Sequence, residues 1–362
     1  MKKVVFVAMC LVGLTTILVG CSENSTVSAV PAPTSTLNAE ESAVQHFNQG
    51  HEYYRQGEYK KALDEYNQAI ELYPQFPSAY NNRGAVYANL NQIDRAIADY
   101  DRAIALDPSM DDAYVSRSMM YSTKGDYQHA IEDGNQAVRL KSTSAGPYWV
   151  RGYAYYKAGD FKHALTDFDE AIRLKLNDAQ PFYYRGKIYF SLGKYDQAIK
   201  DFGQAILLNP ADPATYNDRG AAYFALGKYS EAIADYNWAL ATDPQYVKAL
   251  SNRGAAYLSS GQYDRAIADL DQAIALQPYE ITLHLNRGVA YQYKHDNQRA
   301  LADFNRAIEL DPQDALAYRM RADVFVDMGQ RKQASADLEK ALVLGLPPDA
   351  QKEAEDLLAK LK

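Results

Sequence analysis

The stretch VKALSNRGAAYLSSGQYDRAIADLDQAIALQPYE, residues 247–280, is one of nine copies of a 34-residue pattern that run from residue 43 to about residue 348 without insertion or deletion. A fixed period of this length is typical of a protein built from stacked structural repeats. The repeats start at residues 43, 77, 111, 145, 179, 213, 247, 281 and 315, and positions within each are numbered 1 to 34. The pattern therefore decides the fold of about 306 residues.

Small and large residues recur within each repeat at spacings of three and four. Position 8 is Gly in seven repeats, positions 20 and 27 are Ala in all nine, and position 11 is Tyr in eight and Phe in the ninth. Positions 4, 8 and 11 lie on one face of a helix, and positions 20, 24 and 27 lie on one face of a second helix. The small residues let the two helices approach closely, and large residues at positions 4, 11 and 24 are expected to fill the core.

The predicted helix ends carry their own signals. Position 15 is Gly in seven repeats, Asn91 in the second and His295 in the eighth, which favours a left-handed residue closing the first helix. Proline at position 32 of six repeats ends the second helix. Such a helix pair cannot bury its own faces, so neighbouring pairs are expected to stack. Residues 349–362 are predicted to form a helix that closes the stack. Its apolar side comprises Ala350, Ala354, Leu357 and Leu361.

This pattern resembles the tetratricopeptide repeat, a helix–turn–helix unit that stacks into a superhelix. The resemblance implies an all-α, right-handed α-solenoid of about nine repeats over residues 43–348, with a capping helix over residues 349–362. It also implies a concave groove, lined by the first helices, in which members of the family bind extended or helical peptides. Ser118 at position 8 and Gly134 at position 24 depart from the pattern in the third repeat.

Aromatic residues are concentrated in the fourth repeat. Tyr148 and Tyr155 occupy positions 4 and 11, so they belong to the repeat signature and are expected in the core. Trp149, Tyr153 and Tyr156 occupy positions 5, 9 and 12, whose spacing of four and three places them together on another face of the first helix. By the family resemblance this face lines the groove. These three rings are therefore expected to be at least partly exposed.

The candidate binding patch continues into the fifth and sixth repeats. Its predicted members are Trp149, Tyr153, Tyr156, Tyr183, Tyr184, Lys187, Phe190 and Phe224. Aromatic side chains dominate binding hot spots because they bury a large area at low entropic cost. We interpret the patch as a site for protein or peptide segments. Two alternatives stay open: the rings pack between adjacent first helices, or they stack on a carbohydrate.

Polar residues also repeat. Position 7 is Arg and position 23 is Asp in repeats two to nine, which we interpret as a structural ladder of ion pairs between helices. Asparagine ladders hydrogen-bond peptide backbones in the grooves of some family members, and this chain has Asn at position 6 of four repeats. These are Asn48, Asn82, Asn252 and Asn286.

The N-terminal segment MKKVVFVAMCLVGLTTILVGC, residues 1–21, has a basic start, an apolar run and a small residue before Cys21. This layout is typical of a signal peptide. Its last four residues resemble the lipobox of bacterial lipoproteins, which implies cleavage after residue 20 and lipidation of Cys21. Residues 21–42 are predicted to be a flexible tether, because the stretch is rich in Ser, Thr, Ala and Pro. Ser22 in place of Asp implies, by the same resemblance, an outer-membrane location facing the periplasm.

Charge and motif content narrow the function. The net charge is -8 and there is no Lys/Arg cluster, so nucleic acid is a poor partner. We recognise no glycine-rich phosphate loop, nucleophile elbow or paired-acid cleft, and therefore predict neither enzymatic activity nor a cofactor. His129 and His163 share position 19 of adjacent repeats and are expected to be surface neighbours that make a weak metal site, because they have no carboxylate or cysteine partner.

The sequence thus predicts a lipid-anchored adaptor or scaffold of the cell envelope that binds protein segments in its groove, in envelope assembly or in cell-wall or secretion complexes. One alternative is a structural assembly factor that forms homo-oligomers through its first repeat. There Phe47, His51 and Tyr54 occupy positions 5, 9 and 12. Those residues are equally compatible with an N-terminal cap. A further alternative is a carbohydrate-binding envelope protein.

Overall fold

The computed structural model describes residues 34–174 and 177–361, and regular structure in these two ranges is entirely helical. The helices are α1 Thr34–Arg55, α2 Tyr59–Leu72, α3 Pro77–Asn89, α4 Ile93–Leu106, α5 Asp111–Lys124, α6 Tyr127–Leu140, α7 Ala145–Lys157, α8 Phe161–Arg173, α9 Gln180–Ser191, α10 Tyr195–Leu208, α11 Pro213–Ala225, α12 Tyr229–Thr242, α13 Val247–Ser259, α14 Tyr263–Leu276, α15 Ile281–Tyr293, α16 Asn297–Leu310, α17 Ala315–Asp327, α18 Arg331–Leu344 and α19 Pro348–Leu361.

The helices group into two compact units, one ending at Ile188 and one beginning at Tyr189. In each unit the two helices of a repeat pack together, as α3 packs on α4, and the second helix packs on the next repeat, as α4 packs on α5. Each unit is therefore a stack of helix pairs, and the predicted all-α solenoid is confirmed. Among the helices of residues 34–361 that are described, none is long and apolar enough to cross a membrane.

Close packing within a repeat depends on the glycine at position 8. A Cβ atom added to Gly84 would lie 2.8 Å from the ring of Tyr100, and one on Gly288 would lie 2.7 Å from the ring of Phe304. The position-24 side chains that meet these glycines are fully buried, as are the alanines of positions 20 and 27. The missing side chain is what lets the ring enter between the two helices.

The third repeat exchanges the two partners of this contact. Ser118 stands at position 8 and is fully buried, and its hydroxyl donates to the carbonyl of Ala130 at 2.7 Å. The serine fits because position 24 is Gly134, which presents no ring. A Cβ atom on Gly134 would lie 2.7 Å from Cβ of Arg151, so the backbone and the arginine stem fill that space instead.

The predicted end of the first helix is confirmed by backbone conformation. The seven glycines at position 15 have φ between 71° and 85°. Asn91 and His295 adopt the same left-handed conformation, with φ of 56° and 60°. Non-glycine residues are uncommon in this region, and asparagine and histidine are among those enriched there.

The start of α1 corrects the predicted tether. The helix begins at Thr34, so residues 34–42 are helical and the flexible tether predicted for residues 21–42 is wrong for this part. Ala39, Glu40 and Glu41 are good helix formers and continue the first helix toward the N terminus. Residues 1–33, with Cys21 and the signal segment, lie outside the described residues.

The last helix, α19, closes the second unit. Ala354 and Leu358 are buried against the ninth repeat, and the rest of the apolar side of α19 is partly buried beside them. These residues pack on Ala322 and Leu338, the position-8 and position-24 residues of that repeat. The helix therefore covers apolar surface that a tenth repeat would otherwise cover.

Candidate functional site

The rings of the predicted patch meet between α7 and α9, within the unit that ends at Ile188. Tyr184 is at the centre of the cluster. Its ring centre lies 5.7 Å from that of Trp149, 5.1 Å from Tyr153, 5.0 Å from Tyr156 and 5.1 Å from Tyr183. The structure thus brings five of the eight predicted site residues into one cluster, with tilted and edge-on contacts that aromatic pairs prefer.

Burial contradicts the predicted exposure of this cluster. Four of the rings are less than a tenth exposed: Trp149 at 9%, and Tyr153, Tyr183 and Tyr184 at 7%. Trp149 also lies 5.8 Å from Phe168, the fully buried position-24 ring of its own repeat. The rings therefore pack between adjacent first helices, which is the first of the alternatives that the sequence left open. Covered on several sides, Trp149 is a poor platform for a sugar, so the carbohydrate alternative loses its main support.

The two signature tyrosines of the fourth repeat are more exposed than the sequence predicted. Tyr148 and Tyr155 were expected in the core, yet both are only half-buried. The ring of Tyr148 lies 5.6 Å from the guanidinium of Arg151, and the ring of Tyr155 stacks on the imidazole of His163 at 5.0 Å. Positions 4 and 11 flank the arginine of position 7, so their rings lie at the edge of the helix pair, and the Tyr148 ring lies beneath the cationic side chain of Arg151.

The accessible part of the cluster is its rim. Tyr156 and Lys187 are half-buried and therefore more accessible than the four buried rings beside them. The ammonium of Lys187 lies 5.4 Å from the centre of the Tyr183 ring, and Tyr156 stacks on Phe161 at 6.0 Å. The rim therefore offers one aromatic edge and one cation above a rigid aromatic floor.

The two remaining predicted residues belong to the unit that begins at Tyr189. Phe190 and Phe224 are half-buried, and each contacts the tyrosine at position 17 of its own repeat. The ring centres of Phe190 and Tyr195 lie 5.4 Å apart, as do those of Phe224 and Tyr229. These contacts join the end of a first helix to the start of the following second helix, so both phenylalanines have a packing role within their repeats.

Burial of the cluster disfavours the ionised form of Tyr153. Burial raises the pKa of the Tyr153 hydroxyl, and the neighbouring Tyr184 adds to the shift. The phenol therefore stays protonated at physiological pH. The cluster can supply apolar contact area and hydrogen bonds of neutral hydroxyls.

The predicted arginine–aspartate ladder is present and is more extensive than expected. In the fourth repeat, Arg151 donates to both carboxylate oxygens of Asp167 at 2.8 and 2.7 Å, and also to Asn135 of the preceding repeat at 3.0 Å. Hydrogen bonding to Asp167 raises the pKa of the arginine, and burial opposes that shift. Arg151 therefore ties its own helix pair to the previous second helix through charge-assisted bonds.

The asparagines of position 6 differ in accessibility. Asn252 and Asn286 are buried, and the amide of Asn252 donates to the side-chain oxygen of Asn217 at 2.9 Å. Asn82 is half-exposed and Asn48 is exposed. Only the latter two present amide groups at the surface for a peptide backbone.

The two surface histidines each contact an aspartate of their own repeat, so the expectation that they have no carboxylate partner is wrong. His129 Nδ1 lies 2.7 Å from Asp126, and His163 Nδ1 lies 2.6 Å from Asp160. Both aspartates also cap the N terminus of the second helix by accepting from the histidine backbone N–H. No group of three or more potential metal ligands occurs among residues 34–174 and 177–361.

Family models match most of the repeat region. A TPR repeat model matches residues 50–91, 152–193, 186–227 and 220–261. A tetratricopeptide repeat model matches residues 77–110, 247–280 and 281–314, and a second one matches residues 111–144. Together these matches cover well over half of the chain. No curated protein matches the sequence.

Solved structures share the fold at low sequence identity. A tetratricopeptide repeat protein from Parabacteroides merdae is 22% identical, with 69% of this chain and 98% of that chain covered and a TM-score of 0.52. The pilF protein of Pseudomonas aeruginosa is 20% identical over 57% and 94% of the chains, with a TM-score of 0.53. The Cut9–Hcn1 heterotetramer of the APC/C is 16% identical over 90% and 91%, with a TM-score of 0.51. Similarity at this level shows the fold alone.

Proposed function

This chain belongs to the tetratricopeptide repeat family, and from that membership we propose that it is a non-enzymatic adaptor whose first helices bind segments of other proteins. Repeats of this kind are interaction scaffolds, so protein partners follow from the fold. The proposal adds the surface that is used, the anchor that holds the chain and the compartment in which it acts.

The observation that carries the proposal is the rim above the buried cluster. The four buried rings form a floor that is already packed, so a ligand need not order it on binding. Association is favoured when less conformational freedom is lost. Tyr156 and Lys187 are the half-buried, more accessible residues beside those rings. A segment with an apolar side chain against Tyr156 and an acidic one against Lys187 fits this arrangement best.

A photoreactive amino acid tests the surface in living cells. Placed at Lys187, it should cross-link a partner protein whose bound segment is then identified by mass spectrometry. The matched control is Lys162, an exposed lysine on the second helix of the preceding repeat. A synthetic peptide of the identified segment should bind the wild type more tightly than Tyr156→Ala or Lys187→Ala. Equal cross-linking at both positions, or equal affinities, would refute the rim as the binding surface.

The anchor is proposed from the N-terminal sequence. Cleavage after residue 20 and lipidation of Cys21 would hold the chain on the outer membrane, facing the periplasm, and place it among envelope-assembly, cell-wall or secretion complexes. Mass spectrometry of the mature N terminus should find a lipidated cysteine. Cys21→Ser should leave an unprocessed precursor or a protein in the soluble fraction. A Cys21→Ser protein of mature size in the outer membrane would contradict the anchor.

A further inference from the structure

The outward faces of α10, α12 and α14 differ in composition from those of the other second helices. Positions 22, 25, 26, 29 and 30 are spaced by three and one, so they share one side of each helix. Across these three helices the only charged residues at those positions are Lys200 and Asp271. Each of the other six repeats carries at least two charged residues there; the fourth has Asp169, Glu170 and Arg173. The three helices therefore present a charge-depleted face.

Large apolar side chains on this face are exposed to solvent. Trp238 on α12 is 61% exposed, and Leu207 on α10 is 75% exposed. Leu208 and Leu276 are exposed by 42% and 37%. Position 26, which Trp238 occupies, is Gln in four repeats, Arg in two, and Glu or Lys in the remaining two. A tryptophan is thus exposed at the one repeat whose helix face has no charge at all.

The face is continuous, because the repeats that carry it are tied together. Arg253 donates to Asn237 on α12 and to Asp269 on α14. Gln272 on α14 donates to the carbonyl of Pro244, just after α12, at 3.0 Å. On the other side of α12, Arg219 connects α12 to α10. It donates to Asp235 of α12, and its guanidinium would lie 3.8 Å from a Cβ atom added to Gly203 of α10.

We propose that this face is a homodimer interface, in which a second molecule of the same chain covers Trp238. Interface cores are depleted in charged residues and enriched in aromatic ones, and tryptophan is a frequent hot spot near their centre. The charge of the chain selects the occupant. Two copies, each with a net charge of -8, repel one another, and this repulsion is weakest where the surface carries almost no charge.

The size of the face agrees with a dimer. Each of the three helices has 14 residues, which corresponds to a length of about 21 Å and a width of about 10 Å. Together they present on the order of 600 Å² per molecule, or about 1,200 Å² for two, at the lower end of the range for specific interfaces. One patch facing itself gives a closed two-fold dimer and leaves no free copy of the patch for chain growth.

A lipid surface fits the face less well. Membrane-surface helices combine an apolar face with a basic polar face that meets anionic headgroups. Here Lys200 is the only cation at the positions that form the face. The first-repeat interface is also less suitable, because Phe47 packs on Tyr66 and Phe76 within its own unit.

Sedimentation of the full chain in a density-matched non-ionic detergent tests the interface. The wild type should form a dimer at micromolar concentration. Trp238→Gln, which introduces the residue that four other repeats carry, should weaken the dimer at least tenfold. Leu207→Glu should do the same. Val343→Glu is the matched control, because Val343 occupies the same position 29 in the ninth repeat and is 82% exposed; it should leave the dimer intact.

The salt dependence of dimerisation distinguishes an uncharged interface from one held by ion pairs. Because two acidic molecules meet at an uncharged patch, added sodium chloride should hold or strengthen the dimer. A wild type that stays monomeric, a dimer that Leu207→Glu leaves intact, or one that salt dissociates would overturn the proposal. So would a monomer whose binding to phosphatidylcholine vesicles depends on Trp238, since the face would then belong to a membrane. Cross-linking at Lys187 tests a different unit, so either proposal can fail alone.

Discussion

The two tryptophans of this chain occupy opposite environments, although both depart from the repeat signature. Trp149 lies on a first helix and is 9% exposed, in contact with rings of three other residues. Trp238 lies on a second helix and is 61% exposed, with one side of its ring stacked on Tyr216 at 6.0 Å. The difference comes from the partners: Tyr184, at position 6 of the following repeat, covers Trp149, and no neighbour covers Trp238 to the same degree.

The comparison shows how a departure from a repeat is to be interpreted. A large residue at a free position becomes core when the adjacent repeat also places a ring there. It stays on the surface when the adjacent repeats place small or polar residues there, as Gln204 and Gln272 do beside Trp238. A contiguous exposed apolar patch, such as the one around Trp238, is typical of an interaction surface.

The strongest test of this contrast is truncation of each tryptophan. Trp149→Ala should cost about 3–5 kcal/mol, the range for large aromatic residues removed from a core. Trp238→Ala should change stability by no more than about 0.5 kcal/mol, as exposed substitutions do. Urea unfolding followed by circular dichroism, at concentrations below those that favour a dimer, measures both. Equal costs would remove the distinction between the two sites.

A third variant checks the corrected assignment in the fourth repeat. Tyr155 is only half-buried, so Tyr155→Ala should cost less than Trp149→Ala, the reverse of the order that the signature predicts. Since a repeat array need not unfold in one step, hydrogen exchange of the α7 amides gives the local effect. A larger loss of protection in Tyr155→Ala would restore the signature-based order.

The architecture could be predicted from the sequence because the same pattern of small and large residues recurs in all nine repeats. The spacing of Gly, Ala and rings, the left-handed residue at position 15 and the Arg–Asp ladder all follow from periodicity. Exposure of the patch did not follow, because it depends on contacts between repeats. Tyr184 covers Trp149 from 35 residues away, and no pattern inside one repeat shows this. Trp238 is visible in the sequence as a ring at a position that is Gln, Arg, Glu or Lys in the other eight repeats, but its exposure depends on the neighbouring repeats.

A smaller effect is expected from substitutions on the inner and outer faces of α12, the helix that carries Trp238. Ala232, at position 20, is fully buried, and Ala234, two residues later, is exposed. Ala232→Leu should destabilise by about 1–3 kcal/mol because it overpacks the helix pair. Ala234→Leu should be nearly neutral, since its side chain points to the same side as Trp238. A neutral Ala232→Leu in urea unfolding would mean that the register of this helix is wrong.

A further test restores a side-chain hydrogen bond that the fifth and sixth repeats lack. Arg151 bonds to Asn135 of the preceding repeat, but Arg219 faces Gly203 at the equivalent position. Gly203→Asn should stabilise the chain by about 1 kcal/mol, through a restored hydrogen bond and a better helix former. The hydrogen-bond share should vanish in an Arg219→Gln background. Gly203→Ala, which gains helix propensity alone, should show no such coupling in the double-mutant cycle.

The smallest expected effect is a titration on the outer surface of the third repeat. The hydrogen bond and charge of Asp126 raise the pKa of His129 above its usual 6.5, and His129 in turn lowers the pKa of Asp126. The contribution of His129 to stability is therefore complete below pH 6.5 and is lost as the pH rises through the folded-state pKa of the histidine. The contribution of Asp126 is present above the usual pKa of 3.8 and is lost as the pH falls through the lowered folded-state pKa of the aspartate. NMR titration of the His129 ring should show the raised pKa in the wild type and its return toward 6.5 in Asp126→Asn. Unlike Trp149, this exposed pair should leave the urea midpoint almost unchanged when it is broken. An unchanged His129 titration in Asp126→Asn would show that the pair does not persist in solution.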